Sequence, residues 1–410
     1  MTVINCLQNS QGNHPSMSLE QLGASHLLVV GQTGSGKTTT TLSLLDQLGR
    51  TTTAVIVLDP TGEYRALPGS QHYVVGQNCF LDAGSWDGEE LLTALQISHD
   101  ERQRELVDRA IQSLRIELNI HHHRGLYRKI GRTTTEFSAD ASRLGSWSKS
   151  YPVSLLADQL VEEMIIPFEN QHADYHFLGQ QYDRQLISRQ WEFISTIRHR
   201  LVSRDFRELF DVSSHSGRVC YELHFVLQMY LTKRSNKPLI VDLSHLTEAG
   251  SVQRALISQL LNEMLVIRQR SARAKEDMFP VELVIDEAHR YLPVDQWQLA
   301  DNGIFRLLRE GRKAGLSLLI TTQSTLDLPD RLRSQFATVL IHHLASVDEL
   351  SYLHYQQLPT VELSTGEVFL LHHGLSPQKW QVIAPPMVET LKNGTPSGVS
   401  FFVMKLLLST

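Results

Sequence analysis

Short unbroken apolar runs separated by helical periodicity dominate both ends of the chain. Residues 26–30 (HLLVV) end in a glycine loop and lead into TTTTLSLLDQL, whose leucines recur at helical spacing. Residues 54–58 (AVIVL) run into the turn cluster Asp59-Pro60-Thr61-Gly62. Further apolar runs at 239–241, 282–285, 316–321 and 338–342 each predict a strand. The stretch from 252 to 275 and the segment ending in LLREGRKAG predict helices between them. Continuous apolar strands interleaved with helices predict an α/β fold with a mainly parallel sheet covered on both faces.

Between residues 81 and 235 the pattern turns helical, with helices expected over 100–118, 155–166 and 183–201. The last would place Leu186, Ile187, Trp191, Ile194, Ile197 and Leu201 on one packed face. The expected organisation is a discontinuous core of residues 1–80 and 236–400, a helical insertion subdomain of residues 81–235, and a tail of residues 401–410. The tail reads as a packing or docking segment. A helix over 347–355 and a hairpin around Gly366 are expected near the end of the core.

The chain carries 38 basic and 44 acidic side chains over 410 residues, a net charge of −6. That excludes a uniformly basic nucleic-acid coat but leaves room for a local basic groove. Three scattered cysteines, Cys6, Cys79 and Cys220, make no disulfide framework and suit a reducing compartment. The polar start lacks the pattern of a secretory signal, and no apolar run reaches the roughly 20 residues that cross a bilayer. The expectation is a cytoplasmic protein with no membrane partner.

Gly31 to Thr38 reads GQTGSGKT, the G-x-x-x-x-G-K-[ST] pattern, in the strand-loop-helix context that a P-loop requires. Glycines at 31, 34 and 36 let backbone N–H groups turn towards phosphate oxygens, and Thr33, Ser35 and Thr39 complete the predicted nucleotide contacts. Lys37 would reach the β- and γ-phosphates of ATP, and the Thr38 hydroxyl would ligate Mg²⁺. Such a site needs an acid at a neighbouring strand end. ELVIDEAH supplies Asp286 as a magnesium partner through a water, and Glu287 as the general base. Gln323, ending the strand that closes in Thr321-Thr322, would sense the γ-phosphate or orient water, unless it is a plain polar terminus. Asp59 and Glu63 in DPTGEY either face the crevice, with Asp59 taken as the nucleotide-binding member, or hold a capped turn. Arg312 in REGRKAG is either an ordinary basic residue of a last helical turn or an arginine finger for a neighbouring subunit. Residues 118–135 carry Arg124, Arg128, Lys129 and Arg132 with His121, His122, His123 and Tyr127, as a mobile phosphate-tracking loop or a solvated surface loop. Adjacent histidines rarely converge on one ion, so zinc is not expected there.

HLLVVGQTGSGKT, VLDPTGEY, LIVDLS, LVIDEAHRYLP, REGRKAGLSLLITTQS and LSTGEVFLL, in that order, resemble the HerA branch of the HerA/FtsK family of P-loop ATPases. The resemblance implies a RecA-like P-loop NTPase fold. It also implies ATP hydrolysis through Lys37, Thr38, Asp286 and Glu287, a trans-acting Arg312 and Gln323 as sensor. Members are hexameric motors that thread double-stranded DNA, often with a partner nuclease. Two departures stand out: about 25 residues precede the first strand, where the family carries a β-barrel, and Ser25 stands before His26 where a basic residue is common. Short proteins of this type resemble anti-phage components that work with an effector, a nuclease or an NADase. The leading expectation is therefore a homo-hexameric ATPase acting on double-stranded DNA; the alternative is a ring-forming scaffold ATPase that recruits and regulates an effector without DNA translocation.

Overall fold

The computed structural model describes residues 3–385 apart from 146–149, 204–205, 208–209, 211–219, 247–249, 294–298, 300–301, 347, 354–357 and 373–375. The expected tail at 401–410 lies outside the described residues. The chain divides into two compact units, one of residues 1–75 and 225–410, the other of residues 76–224.

The first unit is built on one ten-stranded sheet. Its strands are β1 (Leu7–Gln8), β2 (Leu27–Val30), β3 (Ala54–Asp59) and β4 (Gln71–Val74), then β9 (Leu239–Asp242), β10 (Val281–Ile285), β11 (Leu316–Thr322), β12 (Thr338–Ile341), β13 (Glu367–His372) and β14 (Gln378–Val382). The second unit holds β5 (Cys79–Phe80) paired with β8 (Tyr221–Glu222), and β6 (Ile165–Ile166) paired with β7 (Gln181–Tyr182). Strands β4-β9-β3-β10-β11-β2-β12 run parallel, and β13-β14-β1 continue the sheet antiparallel at one edge. Every residue of β2, β3, β9, β10, β11 and β12 is buried, which is why each reads as a continuous apolar run. Helix Lys37–Leu48 lays Leu44, Leu45 and Leu48 on this sheet, each contributing about 1.5–3 kcal/mol relative to exposure.

Register places the ends of the central strands side by side. Leu58 pairs with Ile285, Ile285 with Ile320, and Thr322 with Val30. Asp59, Asp286, Gln323 and Gly31, each next along its strand, therefore emerge at one edge.

Several expectations shift. The hairpin is not centred on Gly366; that glycine precedes β13, which pairs antiparallel with β14. The helix expected over 347–355 is Asp348–Tyr352 among the described residues. The helix expected over 155–166 ends at Glu162, because Ile165 and Ile166 pair with β7 instead.

In the second unit, helices Gly88–Ala94, Glu101–Asn119, Leu156–Glu162 and Arg184–Leu201 enclose a core of Leu91, Val107, Ile111, Leu160, Ile194 and Ile197. Capping boxes at Asp87/Glu90, Asp100/Gln103 and Thr133/Glu136 start three of its helices. Trp191 leaves the expected packed face and is 51% exposed. Phe193, two residues on, takes the inward position while Leu186, Ile187, Ile194, Ile197 and Leu201 keep theirs, and Arg198 lies over the indole at 5.8 Å.

The basic segment at 118–135 is largely tied down, contrary to a mobile loop. Lys129 is 7% exposed, pairs with Glu163 and lies 4.6 Å from the Phe137 ring centroid. Arg132 sits over buried Tyr127 at 4.3 Å and approaches Glu117 at 3.7 Å. His121 and His123 face Asp140 and Glu117 at 2.8 and 3.0 Å. Arg124 and Arg128 remain exposed without ion pairs among the described residues. No helix among the described residues is long and apolar enough to cross a membrane.

Candidate functional site

The phosphate loop leaves β2 and closes on the twelve-residue helix Lys37–Leu48. Gly36 begins that helix at φ +108°, where an L side chain is strained, and a Cβ there would lie 3.2 Å from the Gly366 nitrogen. At Gly31 the constraint is close approach: a Cβ would lie 2.5 Å from the His342 Cβ. The loop is held from behind by residues about 300 positions away. Gln32 N–H donates to the His343 carbonyl at 2.9 Å, Gly366 N–H donates to the Ser35 carbonyl at 3.0 Å, and His342 Nε2 bonds the Thr40 hydroxyl at 2.9 Å. Burial, and then the neighbouring Lys37 ammonium, pulls the His342 imidazole down to about 4. His342 belongs to no motif in the sequence; only the register of β12 with β2 reveals it.

Lys37 is buried, and its ammonium donates to the Gly31 and Gln32 carbonyls at 2.7 and 3.2 Å. Burial lowers its pKa, against the pull of Glu287, Asp286 and Glu63. Thr33 is exposed on the loop, Thr39 is half-buried, and Ser35 is buried with its hydroxyl oxygen unpaired among the described residues. A Cβ at Gly34 would meet nothing within 4 Å. An ammonium resting on loop carbonyls, an open rim and an unpaired buried hydroxyl at a helix N-terminus together fit a chain of phosphates.

Asp286 is 3% exposed and accepts hydrogen bonds from the Thr321 hydroxyl and, at 3.4 Å, from the Thr61 hydroxyl. Glu287 adopts a left-handed conformation (φ +49°, ψ +46°), with its N–H donating to Thr321 Oγ1 at 2.9 Å. This turns its carboxylate away from the strand. Gln323 Nε2 donates to Glu287 Oε1 at 3.3 Å, and His289 Nδ1 stands 3.4 Å from Glu287 Oε2. That second oxygen is buried and accepts no hydrogen bond within bonding geometry.

Asp59, expected at the nucleotide, is instead the anchor of its own turn. Its oxygens accept from the N–H groups of Thr61, Gly62 and Tyr64 at 3.2, 2.7 and 3.0 Å, and it has no exposed surface. Burial raises it to about 6 against those hydrogen bonds. The acid of DPTGEY that reaches the phosphate loop is Glu63, whose Oε2 accepts from Thr38 Oγ1 at 2.8 Å. Glu63 is pushed upward by burial and then by Asp286. The hydroxyl of Thr38 and the carboxylate of Asp286 are hard oxygen donors of the kind Mg²⁺ takes.

Arg312 is not brought to this chain's phosphate loop. It lies in the short turn Gly311–Ala314 before β11, beside His26, at the opposite edge of the sheet. The seven residues of β11 separate that edge from the site by about 20 Å. Arg312 is exposed and makes no ion pair among the described residues.

The chain matches the family model described as "Helicase HerA, central domain" over residues 15–263. It is 23% identical over 331 residues to the DNA double-strand break repair helicase HerA of Sulfurisphaera tokodaii, covering 80% of this chain and 57% of that protein. It is 22% identical over 361 residues to the probable DNA double-strand break repair helicase HerA of Methanocaldococcus jannaschii, covering 82% and 65%. The chain thus spans less than two thirds of the length of these relatives. Among solved structures, VirB4 of Thermoanaerobacter pseudethanolicus superposes with a TM-score of 0.64 at 14% identity, over 95% of this chain and 98% of that one. The plasmid coupling protein TrwB in complex with ADP and Mg²⁺ superposes with a TM-score of 0.53 at 14% identity, over 93% and 89%. The shared fold is that of a RecA-like P-loop NTPase.

Proposed function

The chain belongs to the family of the HerA helicase central domain, and from that membership we propose that it is an Mg²⁺-dependent ATPase that forms a hexameric ring and translocates or grips double-stranded DNA. The observation that carries this reading is the convergence of Lys37, Thr38, Asp286, Glu287 and Gln323 at one sheet edge. Lys37 leaves the loop carbonyls for the β- and γ-phosphates of ATP. Thr38 and Asp286 would hold Mg²⁺. The metal, when bound, neutralises charge on the phosphates. Glu287 accepts the proton of a water that Gln323 orients, the water oxygen attacks the γ-phosphorus, and the bond to the β,γ-bridging oxygen breaks. Arg312, remote from its own site, completes the site of a neighbouring subunit in such a ring. The archaeal relatives are DNA double-strand break repair helicases, which supports DNA as the partner; an effector such as a nuclease or NADase, and a role in anti-phage defence, are further parts of the proposal.

One observation favours the second reading, a scaffold ATPase that regulates an effector without moving DNA. The basic segment of the smaller unit spends Lys129 and Arg132 on internal acids, leaving Arg124 and Arg128 as its free cations among the described residues.

The test is ATP hydrolysis by wild type, Lys37→Ala and Glu287→Gln, with and without double-stranded DNA. Lys37→Ala should lose nucleotide binding. Glu287→Gln should keep it and lose about 10²–10⁴-fold in turnover. Normal turnover in Glu287→Gln refutes its role as base. A monomeric wild type whose hydrolysis ignores DNA refutes the ring motor. DNA-insensitive hydrolysis by an oligomer that co-purifies with an effector supports the scaffold.

A further inference from the structure

The Thr38 hydroxyl, like that of Thr40, bonds away from its own helix, whereas two later hydroxyls do not. Thr41 Oγ1 donates back to the Lys37 carbonyl at 3.1 Å, and Ser43 Oγ donates back to the Thr39 carbonyl at 2.7 Å. Such back-bonding is the ordinary fate of a hydroxyl inside a helix. Thr38 Oγ1 donates sideways instead, to Glu63 Oε2 at 2.8 Å, across 25 residues of sequence.

The geometry of DPTGEY delivers that carboxylate. Asp59 gathers the N–H groups of residues 61, 62 and 64 into one turn. Gly62 then reverses the backbone at φ +79°, and the fully buried Tyr64 fixes the far side. Glu63, between them, is carried back over the strand end towards the phosphate loop.

A hydroxyl has one proton and two acceptor lone pairs. A threonine that ligates a cation uses a lone pair, so its proton still needs an acceptor. Without one nearby, the proton turns to a helix carbonyl or into the site. We infer that Glu63 is a positioning residue for the metal: its carboxylate holds the Thr38 proton so that the Thr38 oxygen presents a lone pair to Mg²⁺. The inference rests on the ATPase reading and deepens it, because no motif role covers Glu63. Charge at the site agrees. Glu63, Asp286 and Glu287 all act on the single ammonium of Lys37. Three carboxylates against one cation leave a surplus of negative charge that suits a divalent ion.

Binding of a fluorescent ATP analogue to the full chain, titrated with Mg²⁺, reads this role without turnover, and Mn²⁺ binding followed by electron paramagnetic resonance reads the metal directly. Outer partners of metal ligands typically carry ten- to a hundredfold in metal affinity. Glu63→Gln, which keeps the bulk and a weaker acceptor, should raise the half-saturating concentration of both ions about tenfold. Glu63→Ala should raise it further, while binding of the analogue in EDTA does not weaken. Half-saturation within twofold of wild type in folded Glu63→Gln overturns the inference, whether or not Glu63→Ala folds. A wild type that binds no nucleotide in Mg²⁺ overturns the ATPase reading itself; a wild type that binds normally beside an unchanged Glu63→Gln overturns only the role of Glu63.

Discussion

Glu282 sits in the middle of β10, the strand that carries Asp286 and Glu287, with only 2% of its surface exposed. Its neighbours in register are Val55 and Ser317. Ser317 Oγ donates to Oε2 at 2.5 Å, and Oε1 accepts no hydrogen bond among the described residues. Burial without a cation lifts this carboxyl from 4.5 to about 8, opposed only by the serine hydrogen bond. The folded chain therefore binds this proton more tightly than the unfolded chain. The cost of the ionised form is absent below pH 4.5, grows as pH rises, and is complete above about 8. At about 1.4 kcal/mol for each tenfold change in proton affinity, the cost grows by about 3 kcal/mol between roughly pH 5.5 and 8. Glu282→Gln mimics the protonated acid and removes the titration. Urea denaturation of both proteins across that range should show the variant gaining on wild type by about 3 kcal/mol, with the advantage at the higher pH. A stability difference that stays constant across the range refutes the reasoning, because it means the carboxyl titrates alike in both states.

Gly36→Ala forces a side chain into φ +108° and drives a Cβ to 3.2 Å from the Gly366 nitrogen. Stability should fall by about 1–3 kcal/mol in denaturation, with at least about tenfold weaker nucleotide binding by fluorescence titration; unchanged affinity contradicts the rigid-loop account. Arg312→Ala should retain nucleotide but lose about 10³-fold in hydrolysis, and mixing it with Lys37→Ala should restore activity. No restoration at concentrations where light scattering reports oligomers removes Arg312 from the neighbour's site.

The central strands were legible because burial on both faces leaves no polar alternation to obscure them, and the phosphate loop because its glycines answer to backbone geometry. Strand β4, reading QHYV at the sheet edge and only partly buried, carries no such signal. The exchange that exposes Trp191 and buries Phe193 leaves the rest of the stripe in place, within the tolerance of an apolar pattern. Lys129 reads as a surface cation until Glu163, 34 residues later, arrives beside it. The choice between Asp59 and Glu63 turned on which acid would cap the turn. Gly62, free to adopt a positive φ, was the one local hint that the chain reverses between them.

His342 shows what a motif leaves unstated. The eight residues Gly31 to Thr38 name the loop, yet its shape rests on a histidine packed under Gly31 and bonded to Thr40. Because that imidazole is held down to about 4, it is neutral throughout the range in which the protein would be assayed. Its bond to Thr40 therefore does not change with pH above about 5, and the loop scaffold is electrically constant there. A pH response of nucleotide binding in that range therefore comes from other groups, among them Asp59, which burial raises to about 6 and which holds the turn carrying Glu63. A response that persists in Glu63→Gln and disappears in Asp59→Asn originates in the turn that carries the acid, and leaves the histidine frame behind the loop uninvolved.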